Sequence, residues 1–122
     1  MADRILIDAP CSGTGVIGRR PDIRWRREKL DFDSMNVIQM DILNNMSKYV
    51  KPKGTIVYAT CSLEEEENWN VVNSFLKLND NFKIKSEKSL IPKEWINEKK
   101  CLETFPPKDK VDGMFAVNIQ KV

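Results

Sequence analysis

The chain has 122 residues, with 20 Lys+Arg against 18 Asp+Glu, three cysteines and no histidine. That length suffices for one domain with its own core and no disulfide staples. The lack of histidine excludes Ser-His-Asp and Cys-His catalysis and every His-containing zinc site, leaving carboxylates, thiols, hydroxyls and backbone to carry any chemistry.

In chain order, Arg4-Ile5-Leu6-Ile7-Asp8 reads as a buried strand, followed by a loop beginning at Ala9-Pro10-Cys11. The stretch from Ser12 to Gly18 has neither the Gly-Lys-Ser/Thr ending of a P-loop nor the glycine spacing of a dinucleotide fingerprint, and reads as a connecting loop. Met35, Ile38, Ile42 and Met46 recur at helical spacing, with Leu43, Tyr49 and Val50 widening the stripe. They predict a helix over residues 34–50, capped by Asp33 or Ser34 and stopped by Lys51-Pro52-Lys53-Gly54. Thr55-Ile56-Val57-Tyr58-Ala59-Thr60-Cys61 predicts a strand covered on both faces. Ser62 and Glu65 are spaced as a capping box, and glutamates 64–67 suit the first turn of a helix. Trp69, Val72, Phe75 and Leu76 mark that helix's buried stripe to about Leu78. Phe82-Lys83-Ile84-Lys85 alternates like an edge strand, residues 86–113 read as a long loop, and Met114-Phe115-Ala116-Val117-Asn118-Ile119 as a closing strand.

Strands alternating with helices predict an α/β architecture with a mostly parallel sheet, whose ligand site lies beyond the carboxyl ends of the strands. Cys11, three residues after Asp8, and Cys61, at the end of the second strand, fall there. The cysteines at 11, 61 and 101 fit neither a disulfide framework nor a structural zinc site, so they read as free thiols with no metal. Cys101 stands in a charged loop without a motif and reads as incidental. No apolar run is long enough to cross a bilayer, and Met1-Ala2-Asp3-Arg4 does not begin a secretory signal, so a cytoplasmic location is expected.

Charge is unevenly placed. Five of the six arginines, Arg19, Arg20, Arg24, Arg26 and Arg27, lie within nine residues. The guanidinium fork suits phosphate, which makes this cluster a candidate RNA contact, with Trp25 placed to stack on a base; a solvated basic surface is the plainer reading.

Asp8-Ala9-Pro10-Cys11-Ser12-Gly13-Thr14-Gly15, Arg20-Pro21-Asp22, Tyr58-Ala59-Thr60-Cys61-Ser62, Glu66-Glu67-Asn68 and Asp112-Gly113-Met114-Phe115 stand in this order along the chain. Together they resemble the consecutive motifs of the Nop/Sun family of RNA cytosine-5 methyltransferases, and within it the bacterial Sun-type branch that acts on 16S ribosomal RNA. The resemblance covers essentially the whole chain. It implies the C-terminal half of a Rossmann-like class I methyltransferase fold, supplying strands 4-5-7-6 with two helices. It also implies a partial catalytic domain over residues 1–122, without the glycine-rich loop that is the main holder of S-adenosylmethionine.

The chemistry implied is methyl transfer to carbon 5 of a cytosine in RNA. A thiolate adds to carbon 6 and makes carbon 5 nucleophilic; a base later removes the carbon 5 proton so that the thiol can leave. The resemblance assigns Cys61 as nucleophile, Cys11 as the group that promotes release, and Asp8 as the carboxyl group touching base and methyl donor, with Pro10 beside the donor. A thiol at a helix N-terminus has its pKa lowered by the dipole, and Cys61 immediately before Ser62 is expected to benefit. Two expectations follow from the missing strands: the chain alone is inactive and holds the cofactor weakly, and its first strand is an open edge that invites self-association. An RNA-binding module using residues 19–29 without catalysis, and a thiol redox protein, are the alternative readings.

Overall fold

Three strands separated by helices run one way, and one long strand runs against them. The computed structural model describes residues 1–11, 29–85, 95–104 and 113–122, and for residues 29–33 the backbone alone. Its elements are β1 (Ala2–Asp8), α1 (Lys29–Ser47), β2 (Val50–Thr60), a 3-10 turn (Glu65–Glu67), α2 (Trp69–Leu78), β3 (Phe82–Ile84), β4 (Leu102–Thr104) and β5 (Met114–Lys121). The five-stranded sheet has the order β1-β2-β5-β3, and β4 also pairs with β5. The four-strand order is that expected for strands 4-5-7-6.

The parallel β1–β2 pair needs a crossover, and the segment containing α1 supplies it. The same logic links β2 through α2 to β3: both strands are antiparallel to β5 and therefore parallel to each other. The mostly parallel sheet expected from alternation is corrected in one respect. β5 follows no described helix, and it enters antiparallel between β2 and β3.

The period of two in the strands sorts their side chains. Ile56, Tyr58 and Thr60 of β2 and Phe115, Val117 and Ile119 of β5 are buried beneath the helices. Thr55, Val57 and Ala59 are only half-buried on the other face, so the expectation that β2 is covered on both faces is met on one. The core joins Ile7, Ile56, Tyr58, Phe115, Val117 and Ile119 to Leu43 of α1 and Val71, Val72 and Phe75 of α2. Two edge-to-face pairs lock it: Tyr58 with Phe115 at 6.4 Å between ring centroids, and Phe75 with Phe82 at 5.1 Å.

Helix α1 differs from its expected bounds and face. It begins five residues earlier, and it ends at Ser47, whose hydroxyl donates to the Asn44 carbonyl at 2.7 Å. Its buried line is Gln39, Leu43 and Ser47 at i, i+4, i+8, whereas Ile38 and Tyr49 are exposed. The segment Lys51-Pro52-Lys53-Gly54 lies within β2 as an irregularity rather than simply stopping the helix. Lys53 adopts φ 70°, and the pairing with β1 shifts register there. Gly54 is required by close approach: a Cβ would meet the Asp3 carbonyl at 2.8 Å.

The segment taken as loop to residue 113 contains β4, which extends the edge of β5. Before it, Asn97 Oδ1 accepts from the N–H groups of Lys99 and Cys101 at 2.8 and 3.1 Å, closing a tight turn. Lys99 then lies over the Trp69 ring, 5.3 Å from its centroid. Cys101 is fully buried in the core, so it is a packing residue rather than an incidental one. Burial pushes its thiol up to about 11, with Glu103 adding to the effect and Lys99 opposing it.

Candidate active site

Because β1 and β2 are parallel neighbours, their carboxyl ends reach the same end of the sheet. Asp8 pairs with Ala59, and the Ala9 N–H donates to the Ala59 carbonyl at 2.9 Å. Just beyond lie the two thiols, Cys11 and Cys61, both half-buried and not joined in a disulfide. Their sulfurs are 3.3 Å apart, near enough for one to donate its hydrogen to the other. Fifty residues separate them in the chain; the crossover between β1 and β2 brings them together.

The backbone on either side of Cys61 is pinned by buried polar groups. Thr60 Oγ1 donates to Asn68 Oδ1 at 2.5 Å and accepts from the Ser62 N–H at 3.2 Å. Asn68 Nδ2 donates to the Ser62 carbonyl at 2.8 Å, and Ser62 Oγ accepts from the Glu64 N–H at 3.0 Å while donating to Glu67 Oε2. The Tyr58 hydroxyl donates to the Glu67 carbonyl at 2.7 Å. Burial, then the charges of Glu67 and Cys11, pushes the Tyr58 phenol above its ordinary range, in keeping with its place as the donor in this bond. On the Cys11 side, the Pro10 carbonyl accepts from Gln39 Nε2 at 2.8 Å. Gln39 Nε2 also lies 3.4 Å from Glu67 Oε1.

Two sequence expectations about Cys61 change. Ser62 and Glu65 do not form a capping box: Ser62 turns its hydroxyl to Glu64 and Glu67, and the glutamates form the 3-10 turn. α2 starts only at Trp69, with Asn68 as its N-cap and no acidic residue in its first turn. Cys61 therefore lies eight residues before the helix, outside the short range of its dipole, and the expected activation by that dipole does not apply.

Of the other expected site residues, Asp8 is exposed at the end of β1, opposite in strand phase to the buried Ile7, and Pro10 is exposed between Asp8 and Cys11. Arg19, Arg20, Arg24, Arg26 and Arg27 lie outside the described residues, as do Trp25 and the loop from Ser12 to Gly18. Thr60, Glu67 and Asn68 stand in the sequence motifs but without an assigned role, and Gln39 went unrecognised although it carries a signal: it stands four residues before Leu43 on the buried line of α1. Among the described residues no group of three or more Cys, Asp or Glu is placed to hold a metal ion, and no helix is long and apolar enough to cross a membrane.

A sheet ordered β1-β2-β5-β3, with both helices over one face and its polar site beyond the ends of β1 and β2, is the arrangement of a Rossmann-like class I methyltransferase fold. Solved structures agree. The protein PH0851 superposes with a TM-score of 0.90 at 31% identity, covering 98% of this chain and 27% of that one. NSun6 from Pyrococcus horikoshii superposes with a TM-score of 0.80 at 28% identity, covering 97% and 29%.

The chain belongs to the 16S rRNA methyltransferase RsmB/F family, whose model matches residues 1–120. It is 39% identical over 119 residues to the ribosomal RNA small subunit methyltransferase B of Enterobacter sp. (strain 638), covering 98% of this chain and 26% of that relative. The chain thus spans about a quarter of the length of the curated relatives it matches.

Proposed function

We propose that these residues carry the thiol chemistry of S-adenosylmethionine-dependent methyl transfer to carbon 5 of a cytosine in ribosomal RNA. The observation that carries this reading is the 3.3 Å approach of the Cys11 and Cys61 sulfurs at the shared end of two parallel strands. One nucleophilic thiol would need no second thiol in contact with it. A reaction that must attach to a ring and later let go needs a group for each act.

In this reading Cys61 Sγ, as thiolate, adds to carbon 6 of the cytosine, and the C5=C6 electron pair becomes available at carbon 5. S-adenosylmethionine, when bound, supplies the electrophilic methyl group that carbon 5 takes. Cys11, as thiolate at that stage, then takes the carbon 5 proton and becomes the thiol, the double bond re-forms, and Cys61 leaves as thiolate. The exposed carboxylate of Asp8 suits one wall of a site for a cationic sulfonium, and Pro10 would lie beside it. Arg19, Arg20, Arg24, Arg26 and Arg27 would meet RNA phosphates.

RNA carrying 5-fluorocytosine tests the reading, because fluorine at carbon 5 cannot leave as a proton does and traps the adduct. The chain reconstituted with a cofactor-binding half is expected to yield a stable protein–RNA adduct, absent in Cys61→Ala. Cys11→Ala is expected to accumulate adduct even on unmodified RNA. Salt-dependent RNA binding with no adduct from the unsubstituted protein would defeat it.

We further infer that the chain on its own associates through β1. That strand is the sheet's edge among the described residues, and Leu6 on it is 72% exposed. Sedimentation velocity is expected to show mass rising with concentration; a monomer throughout the micromolar range would refute this.

A further inference from the structure

The residue before Cys11 and the residue after Cys61 are connected through the protein interior. The Pro10 carbonyl accepts from Gln39 Nε2 at 2.8 Å; the same amide nitrogen lies 3.4 Å from Glu67 Oε1; and Glu67 Oε2 accepts from Ser62 Oγ. The three side chains of this path are closed to solvent, Gln39 and Glu67 at 0% exposure and Ser62 at 1%. They come from α1, from the 3-10 turn and from the bend after β2.

We infer that Gln39 is a positioning residue: it bridges the Cys11 and Cys61 segments and sets the distance between their sulfurs. This rests on the reading of the two cysteines given above. A primary amide carries two hydrogens on one nitrogen, so a single group can face a carbonyl and a carboxylate at once. The opposite orientation would set the amide oxygen against two acceptors, so the chemistry of the neighbours fixes which end points at them. Among the described residues Gln39 Oε1 has no hydrogen-bond partner. A buried amide oxygen left in that state costs stability, and Gln39 stands where the core-facing line of α1 would otherwise take an aliphatic residue. The cost is offset where the other end of the amide holds two chain segments in register.

Thiol–thiol contact is a local arrangement that the backbone of each segment has to bring about. Cys11 sits on the chain leaving β1, and Cys61 on the bend leaving β2. The strand ladder fixes the chain as far as Ala9, through its bond to the Ala59 carbonyl. Beyond Ala9, the Gln39 bond to Pro10 continues the registration toward Cys11.

The test is closure of the Cys11–Cys61 disulfide in the 122-residue chain by diamide, which accepts the two thiol hydrogens as the sulfur–sulfur bond forms. The unsubstituted chain is expected to close rapidly. Gln39→Leu keeps the volume and removes both hydrogen bonds; it should close about tenfold more slowly or worse, as expected when reacting atoms shift by a fraction of an ångström or more. Cys101 should stay protected from alkylation in the same sample. Ser62→Ala cuts the far end of the path and should slow closure too, which keeps the test decisive if Gln39→Leu does not fold. Glu67→Gln retains an acceptor toward Gln39 and a partner for Ser62, and is expected to close at nearly the unsubstituted rate, whereas Glu67→Leu is not. Unchanged closure in folded Gln39→Leu, or in Ser62→Ala, overturns the inference. Disulfide closure needs neither RNA nor methyl donor, so it is judged separately from methylation. If the 5-fluorocytosine adduct never forms but Gln39→Leu slows closure, the positioning stands and the methylation reading falls. If the adduct forms at an undiminished rate in Gln39→Leu with closure unchanged, the positioning falls alone.

Discussion

Two of the three cysteines and the third occupy opposite kinds of interior in one small sheet. Cys101 is packed among the apolar side chains under the helices, its sulfur closed to solvent. Cys11 and Cys61 are half-buried, and the closed groups around them are polar: Gln39, Thr60, Ser62, Glu67 and Asn68. In the first environment packing holds the sulfur itself. In the second, hydrogen bonds hold the neighbouring backbone and leave the two sulfurs facing each other. Residue type alone does not make a cysteine chemical; what is fixed around it, and what is left free, does.

Energetically the two regions should differ as well. Phe75 is fully buried and stacks edge-to-face on Phe82, so Phe75→Ala is expected to cost about 3–5 kcal/mol in denaturant unfolding. Thr60→Val replaces a hydroxyl that serves both Asn68 and the Ser62 N–H with an apolar group of similar size. It should cost less, about 1–3 kcal/mol for the polar groups left unpaired, yet disturb Cys61 more. Equal costs, or a larger one for Thr60→Val, would mean that the polar end carries the fold as much as the apolar core does.

How far the sequence reveals this depends on the residue. The apolar runs at Ile5-Leu6-Ile7, Ile56-Val57-Tyr58 and Phe115-Ala116-Val117 mark β1, β2 and β5 because a strand declares itself through its own side chains. The face of α1 is partly legible: counting apolar residues finds Leu43, Ile42 and Met46, in the core or packed against it, but also admits Ile38 and Tyr49, which are exposed, and passes over Gln39, which is buried. A polar residue buried for its hydrogen bonds looks like a surface residue until its partners, 28 and 29 residues away, are known. Ser62 shows the same limit: Glu65 has the local spacing of a capping box, but the hydroxyl goes to Glu67, and α2 begins later than the spacing suggests. Cys11 and Cys61 are legible as a pair through their place after two strand ends and through the motifs that surround them. β4, three residues long, offers no period to read, and Cys101 is buried by a turn closed on Asn97 rather than by any pattern of its own.

The contrast among the cysteines is sharpened by their reactivity. At neutral pH, iodoacetamide followed by peptide mass mapping is expected to modify Cys11 and Cys61 first, with Cys101 slower by about a hundredfold or more, since it reacts only when the core opens. Alkali adds a second handle. Burial raises the Cys101 thiol from 9.0 in the unfolded chain to about 11 in the fold, so between those values the native state holds a proton that the unfolded state has lost. Stability linked to this thiol is therefore fully present below pH 9 and declines as pH rises toward 11. Cys101→Ala removes that portion of the alkaline decline, leaving the portion linked to Tyr58, whose phenol burial also pushes up, and it does so without altering the modification of Cys11 and Cys61. A Cys101 that alkylates as fast as the other two at pH 7 would erase the distinction between the two interiors, because it would show that the apolar end opens as readily as the site.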